Sequence, residues 1–400
     1  MLILLFTLPF ITRIYDPADF GNFEKYVVLI AIATNVCLLN FEFKIYDYKT
    51  KKEQTLSIIV CLLFTLSISL IIFLFTILLN LFIPISIFFS LEIIFLIFVW
   101  LFFVTMSNIV LTFFSSYGKF KYYSFIRLIS TIILVSSQII FGLLEYNFLG
   151  FIYAIILQNI LICCFGLAPI FNQIKKYGTS FSFSDMVNHI KANDRIILFS
   201  FPGNLVNRLT QSLPIFFLSY FNPIFLGYFS FSNQLLNYPL KLFNGIGNMF
   251  KKEFNDEVRS YFTYKVAFKK YFKIFSMISI ILLVGVYSLS DILIPILFGD
   301  KWIDSIIILK YLVLLVAVRF VVAGLSPVMI LDYLPKYGIL LQIFYLILTS
   351  TFLFVGFNFF NGHMPVIISY VLSSIIFYIT YFLVMKYFSN KRLNFKNYGV

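Results

Sequence analysis

Long apolar runs broken by short polar stretches fill this chain from one end to the other. A helix needs about 20 residues to cross a bilayer's hydrocarbon core, and about twelve runs approach that length. They are read as Met1–Ile11, Asn22–Phe43, Thr55–Leu79, Phe88–Leu111, Ser124–Leu144, Leu149–Ile170, Ile196–Tyr220, Ile224–Phe250, Tyr271–Ile294, Ile306–Ile330, Gly338–Phe357 and Pro365–Tyr387. The first run, about eleven residues, is too short to span. It is expected to be a shortened first helix, because neither a basic n-region nor a small-residue cleavage site marks it as a signal peptide.

The polar positions inside these runs are where chemistry is expected. Between Phe199 and Lys252 two apolar spans are joined by the turn Phe221-Asn222-Pro223. In the first span Asn204, Asn207, Arg208 and Gln211 fall at i, i+3, i+4 and i+7, and so share one helix face. In the second, Gln234, Asn237, Lys241, Asn244 and Asn248 repeat at steps of three and four. A guanidinium near the bilayer centre costs at least ~2.5 kcal/mol on insertion scales, so it ordinarily faces a wet cavity or a partner. The hairpin is therefore expected to form one wall of a polar, positively charged pathway through the membrane.

Composition excludes an ordinary soluble domain, since only 12% of residues are charged against about 25% in such domains. A net charge of +13 would suggest nucleic acid if the protein were soluble. Here the basic residues flank apolar spans, so anionic headgroups and topology account for them without nucleic acid. One set of loops carries Lys44, Lys51, Lys52, Lys121, Lys175, Lys176, Lys251 and Lys252, and the tail adds Lys391, Arg392 and Lys396. The alternate loops hold Arg13, Lys25, Lys301 and Lys310 among the acids Asp16, Asp19, Glu24, Glu145, Asp300 and Asp304. The positive-inside rule places the first set in the cytoplasm together with both termini, which agrees with an even number of spans. Cys37, Cys61, Cys163 and Cys164 lie in apolar runs without CxxC or Cys/His metal spacing, so neither disulfides nor metal are expected.

The connection Phe171–Arg195 divides the spans into two blocks of six. Near the start stands PFITRIYDPADFGNF, and at the head of the second block PIFFLSYFNPIFLGYF. Each has a proline in a span, an Asp-Pro or Asn-Pro turn, and a glycine opening the next span. The expected fold is thus an all-α polytopic membrane protein of about 12 helices, with lobes at 1–170 and 196–400 and a cytoplasmic connector at 171–195. Parallel repeats of this kind place substrate between the halves.

Three stretches resemble the polysaccharide-biosynthesis (Wzx-type) flippases of the multidrug/oligosaccharidyl-lipid/polysaccharide exporter superfamily. They are LPFITRIYDPADFGNF through FEFKI, FPGNLVNRLTQSLPIFFLSYFNPIFLGYFSFSNQLLNYPLKLFNGIGNMFKKEF, and SDILIPILFGDKWIDSIIILKYL. With span count and spacing, the likeness covers nearly the whole chain; the short first helix departs from the pattern. The resemblance implies a V-shaped, MATE-like bundle of two six-helix lobes around a central cavity. It also implies export of an undecaprenyl-pyrophosphate-linked sugar unit across the bacterial inner membrane, with the polymerase and chain-length machinery of the same pathway as partners.

A pyrophosphate calls for buried cations, with arginine suited to bidentate contact and lysine acting as a point charge. Arg208 and Arg319 sit near the middle of their spans and Lys241 nearer the cytoplasmic end. They are expected to hold the headgroup; the plainer alternative is an ion pair or a carbonyl contact in helix packing, or a snorkelling lysine. Arg13 either guides release at the periplasmic mouth or anchors a helix end. Asn204, Asn207, Gln211 and Asn35 are candidates for sugar hydroxyls, although amides also join membrane helices. Asn35 and Glu42, seven apart, are read on one face of the second span. Glu42 is a coupling candidate for H+ or Na+, with a cationic partner such as Arg208 or Lys44 as the alternative reading. His189 and His363 have no catalytic neighbours, and the Lys/aromatic segment Lys251–Lys273 is a positive-inside flank or an amphipathic helix. No GxxxxGK[ST] motif occurs, so energy must come from an ion gradient, the membrane potential or consumption of product. A cation antiporter of the same superfamily is the nearest rival and a membrane polymerase the next. Antiport of cationic drugs calls for buried acids rather than buried cations, and polymerases carry a long outward loop absent here.

Overall fold

A computed structural model describes residues 2–46, 48, 50–82, 90–118, 120–177, 182–194, 196–240, 257, 265–326, 335–360 and 362–390, and all regular structure among them is helical. The helices are α1 (Leu2–Ile14), α2 (Pro17–Leu38), α3 (Lys51–Phe82), α4 (Leu91–Ser116), α5 (Phe120–Leu143), α6 (Asn147–Tyr177) and α7 (Phe183–Ala192). There follow α8 (Phe201–Ser219), α9 (residues 223–240), α10 (Lys265–Phe298), α11 (Ser305–Leu325), α12 (Pro335–Phe359) and α13 (His363–Asn390). Among the described residues, eight helices are long and apolar enough to cross a membrane, namely α3–α6 and α10–α13. The protein is a multi-pass membrane protein. Helices α2, α8 and α9 fall at three further expected spans, and their in-span polar residues dilute the apolar signal. Several helices outrun the apolar stretch that announced them. At 1.5 Å per residue the 34 residues of α10 reach about 51 Å, because its lysine-rich first turns are good helix formers as well as polar.

The chain packs as two compact units, Lys25–Arg208 and Met1–Glu24 with Leu209–Val400. The first 24 residues thus pack with the second half of the chain, whereas the connector length places them in the lobe 1–170. Two contacts explain why. Gly21 and Gly227, the matching glycines of the repeated motif, lie in backbone contact with each other's helix starts. A Cβ on Gly21 would collide with the Pro223 carbonyl, and one on Gly227 with the Pro17 carbonyl. Small residues at such crossings let backbones approach and gain dispersion where lipid offers no hydrophobic contrast.

The second contact is Trp302, fully buried in a short 3-10 turn that Gly299 opens at φ 93°. Its indole N–H donates to the Thr12 carbonyl at 3.0 Å, near the end of α1. Its rings pack against Phe20 (4.9 Å between centroids) and Phe231 (4.5 Å). Arg13, one residue on from Thr12, donates to the Ile296 carbonyl at 3.0 Å near the end of α10. Each helix end therefore satisfies a terminal carbonyl of the other, which the bilayer is unable to do. Elsewhere in this unit Ser279 donates across to Ala317 at 2.8 Å, and Tyr345 shares a 2.9 Å bond with Ser374.

In the other unit α4 packs closely on α6, where a Cβ on Gly166 would strike Val110, and Ser107 donates to Asn159 at 2.7 Å. One end of this unit holds a buried polar belt. Gln173 donates to Thr55 at 2.9 Å and accepts from Tyr117, while Gln54 donates to Ser116 at 2.9 Å. The described part of the connector expected at 171–195 is largely helical. Helix α6 runs on to Tyr177, and α7 starts with a Ser182/Asp185 capping box. It docks through His189, which is buried, edge-on to Phe41 and 2.9 Å from the Ser57 hydroxyl.

Two measurements check this packing. Gly21→Ala and Gly227→Ala should each cost about 1–3 kcal/mol by overpacking, with the double variant losing less than the sum because both sit at one crossing. Gly285→Ala, where an added Cβ meets nothing, should match or exceed the wild-type melting temperature in detergent. Burial, with the Lys44 charge against Glu53, holds His189 below its ordinary value of about 6.5. The folded state thus prefers the neutral ring, so α7 docking is complete above pH 6.5 and weakens as pH falls below it. Hydrogen exchange of α7, corrected for intrinsic rates, should show protection falling as pH drops below about 6.5, and the loss should flatten in His189→Gln.

Candidate functional site

Helix α8 follows a five-residue π-helical turn, Ile196–Ser200. Pro202, at the second position of α8, donates no N–H, and the wider π turn accommodates it. The helix carries Asn204, Asn207, Arg208 and Gln211 as the spacing requires, with the three amides half-buried and Arg208 exposed. Glu42 lies within reach of the Arg208 charge, and its Oε2 is buried without a hydrogen-bond partner among the described residues.

The expected geometry of Asn35 and Glu42 does not hold. Helix α2 ends at Leu38, Leu39 and Asn40 take positive φ (50° and 59°), and Glu42 sits in the 3-10 turn Phe41–Ile45. The two residues therefore do not share a helix face. Asn35 instead turns its amide toward Asn40 at 3.4 Å, both being buried. The left-handed pair at positions 39 and 40 is the physical cause; asparagine tolerates that conformation better than most residues.

Arg319, half-buried on α11, has a different environment. Its electrostatic neighbours are the hydroxyl groups of Tyr345, Tyr370 and Tyr378, and no acidic side chain stands among them. Tyr345 stacks on Phe377 at 4.1 Å and is held by Ser374. A guanidinium ringed by phenols rather than carboxylates keeps its charge for a further partner. The spacing of Tyr370, Ser374 and Tyr378 at i, i+4 and i+8 carried this signal, which the abundance of aromatic residues hid.

Arg13 donates to the Ile296 carbonyl from an exposed side chain. Lys241, with Asn244 and Asn248, lies outside the described residues, as does most of Lys251–Lys273. In α9 Gln234 donates to Tyr238 at 2.8 Å and Asn237 to the Asn233 carbonyl at 2.7 Å, so this part of the second stripe is satisfied within its own helix. His363 stacks on Phe225 at 3.4 Å. Among the described residues no cluster of His, Cys, Asp and Glu is arranged to hold a metal ion. The sequence's single cationic wall thus resolves into an Arg208/Glu42 pair in one unit, and into Arg319 with its tyrosines and Arg13 at the α10 end in the other.

Comparison with known proteins places this geometry. No curated protein matches the sequence significantly. An inward-facing multidrug-resistance MATE transporter of the MOP superfamily superposes with a TM-score of 0.65 at 14% identity, over 96% of this chain and 94% of that one. The lipid II flippase MurJ, in an inward closed conformation, gives 0.64 at 16% identity over 96% and 84%. An outward-facing MATE transporter gives 0.59 at 15% over 92% and 87%. These identities speak for a shared fold. The profile of the polysaccharide biosynthesis protein family matches residues 10–307, a stretch that contains the repeated Pro-Gly motif, Arg208 and Trp302, and the chain belongs to that family.

Proposed function

We propose that the protein is a flippase for a lipid-linked oligosaccharide, an undecaprenyl-pyrophosphate-linked repeat unit of O antigen, capsule or a related glycan, working by alternating access. The observation that carries this reading is the chemistry of the two in-span arginines in a member of the polysaccharide biosynthesis family. Arg208 stands among amides and Arg319 among phenols. Guanidinium forks fit phosphate oxygens, and amides with aromatic hydroxyls fit sugars. Lys241 extends the same cationic series in sequence, and Asn204, Asn207 and Gln211 are the sugar-facing candidates. Asn35, paired with Asn40, serves the α2 end instead.

On this reading the lysine-rich loops and both termini face the cytoplasm of a bacterial inner membrane, and the Asp16/Lys301 end faces outward. Glu42, next to the Arg208 charge, is the group through which a proton or cation would compete with substrate for Arg208. A cation antiporter would use the same carboxylate as its binding group.

Complementation of a flippase-deficient strain at matched membrane expression tests the assignment. Losing a charge-assisted contact of about 1.5–3 kcal/mol should lower surface glycan about tenfold to a hundredfold in Arg208→Ala and in Arg319→Ala. Lipid-linked unit should accumulate on the cytoplasmic leaflet, and Arg208→Lys should restore part of the activity. Full activity in both alanine variants would return the arginines to packing roles. Drug or cation efflux that depends on Glu42, with no effect on glycan, would establish the antiporter.

A further inference from the structure

A cleft of about 960 Å3 lies within the unit that joins α1 to the second half of the chain. Phe6 and Phe10 of α1, Leu235 of α9, and Leu282, Gly285 and Leu293 of α10 line it. Its lining side chains are apolar except for Ser290 and Arg13. Leu5 to Arg13 covers eight residue steps of α1, about 12 Å, so the cleft follows that helix with a guanidinium at its C-terminal end. Phe6 and Phe10 are 70% and 64% exposed, and a Cβ at Gly285 would meet nothing, so the space is open to a long chain.

Arg13 is placed to receive a head group. One of its five N–H donors holds the Ile296 carbonyl at 3.0 Å, which fixes the fork at the end of the cleft. The described residues give it no carboxylate partner, since Asp16 nearby is taken by Lys301 at 2.6 Å. A smaller apolar cleft of about 270 Å3 lies between α2, α3 and α4 of the other unit, lined by Leu29. Leu29 matches Leu235 at the same offset of 206 residues that relates Pro17 to Pro223 and Gly21 to Gly227. Among the described residues, no basic side chain lines that smaller cleft. Of these two apolar clefts, only the one along α1 has a cation in its lining. Bilayer acyl chains would need no such difference.

We propose that the α1–α9–α10 cleft binds the polyisoprenoid chain of a phosphate-headed lipid, with the phosphate on Arg13. The site deepens the flippase reading and rests on it: it would hold the lipid chain of the substrate, with Arg13 taking the phosphate at a different stage of transport from Arg208 and Arg319.

Photolabelling tests it. The purified full chain is placed in phosphatidylcholine nanodiscs with a diazirine-bearing polyisoprenyl monophosphate, and cross-linked peptides are identified by mass spectrometry. Labels are expected on residues 5–10 and 278–297. Labelling should fall about tenfold in Arg13→Ala, less in Arg13→Lys, and be lost in Gly285→Phe, which fills the cleft from a position with free space. Excess unlabelled polyisoprenyl monophosphate should compete, and excess phosphatidylglycerol should not. Equal competition by phosphatidylglycerol would make the cleft an ordinary phospholipid site and overturn the proposal. Labelling elsewhere, or labelling on these segments indifferent to both Arg13→Ala and Gly285→Phe, would overturn it as well. Because the probe carries no sugar, the outcome is separable from the flippase reading: transport without this labelling removes the cleft, and labelling without glycan transport removes the flippase.

Discussion

Two backbone segments touch where the repeated motif meets its own copy, and the unit that contains Arg13, Trp302 and Arg319 is built on that contact. Gly21 faces the Pro223 carbonyl and Gly227 the Pro17 carbonyl, with no room for a methyl group on either side. In lipid, helices gain little from hiding apolar surface from one another, so close approach and hydrogen bonding supply the attraction. The crossing brings the end of α1 within reach of Trp302 and Ile296. The two prolines that open α2 and α9 start their helices at positions where a missing N–H costs nothing.

Much of this was legible because membrane helices advertise themselves by apolar length. The apolar runs, the two Pro-Gly motifs and the α8 polar face were all readable from spacing. The assignment of residues 1–24 was not. Chain order and loop length put α1 with its neighbours, while the carbonyl bonds and the glycine crossing tie it to residues nearly 300 positions away. Asn35 and Glu42 failed for a local reason, since two consecutive left-handed residues leave no trace in hydrophobic periodicity. The tyrosines around Arg319 were hidden by abundance: with 26 tyrosines in the chain, an i, i+8 pair on α13 does not stand out until α12 and α11 are packed beside it. His189 was lost in a loop that proved to be a capped helix.

The cations divide by what surrounds them. Arg208 shares its surroundings with a carboxylate, so its charge is already partly answered in the resting state. Among the described residues Arg319 is answered by neutral phenols, which can donate or accept hydrogen bonds. Arg13 is anchored by one carbonyl at an exposed helix end.

The reciprocal capping of α1 and α10 also has a consequence in time. Thr12 and Trp302 are separated by 290 positions, and ribosomes add about 5–20 residues each second. For roughly 15–60 s after synthesis α1 lacks its indole donor. During that interval a short apolar helix with bare terminal carbonyls must be sheltered by the insertion machinery or by the first helices to arrive. Biogenesis, rather than the finished fold, is then the stage at which α1 is most easily lost.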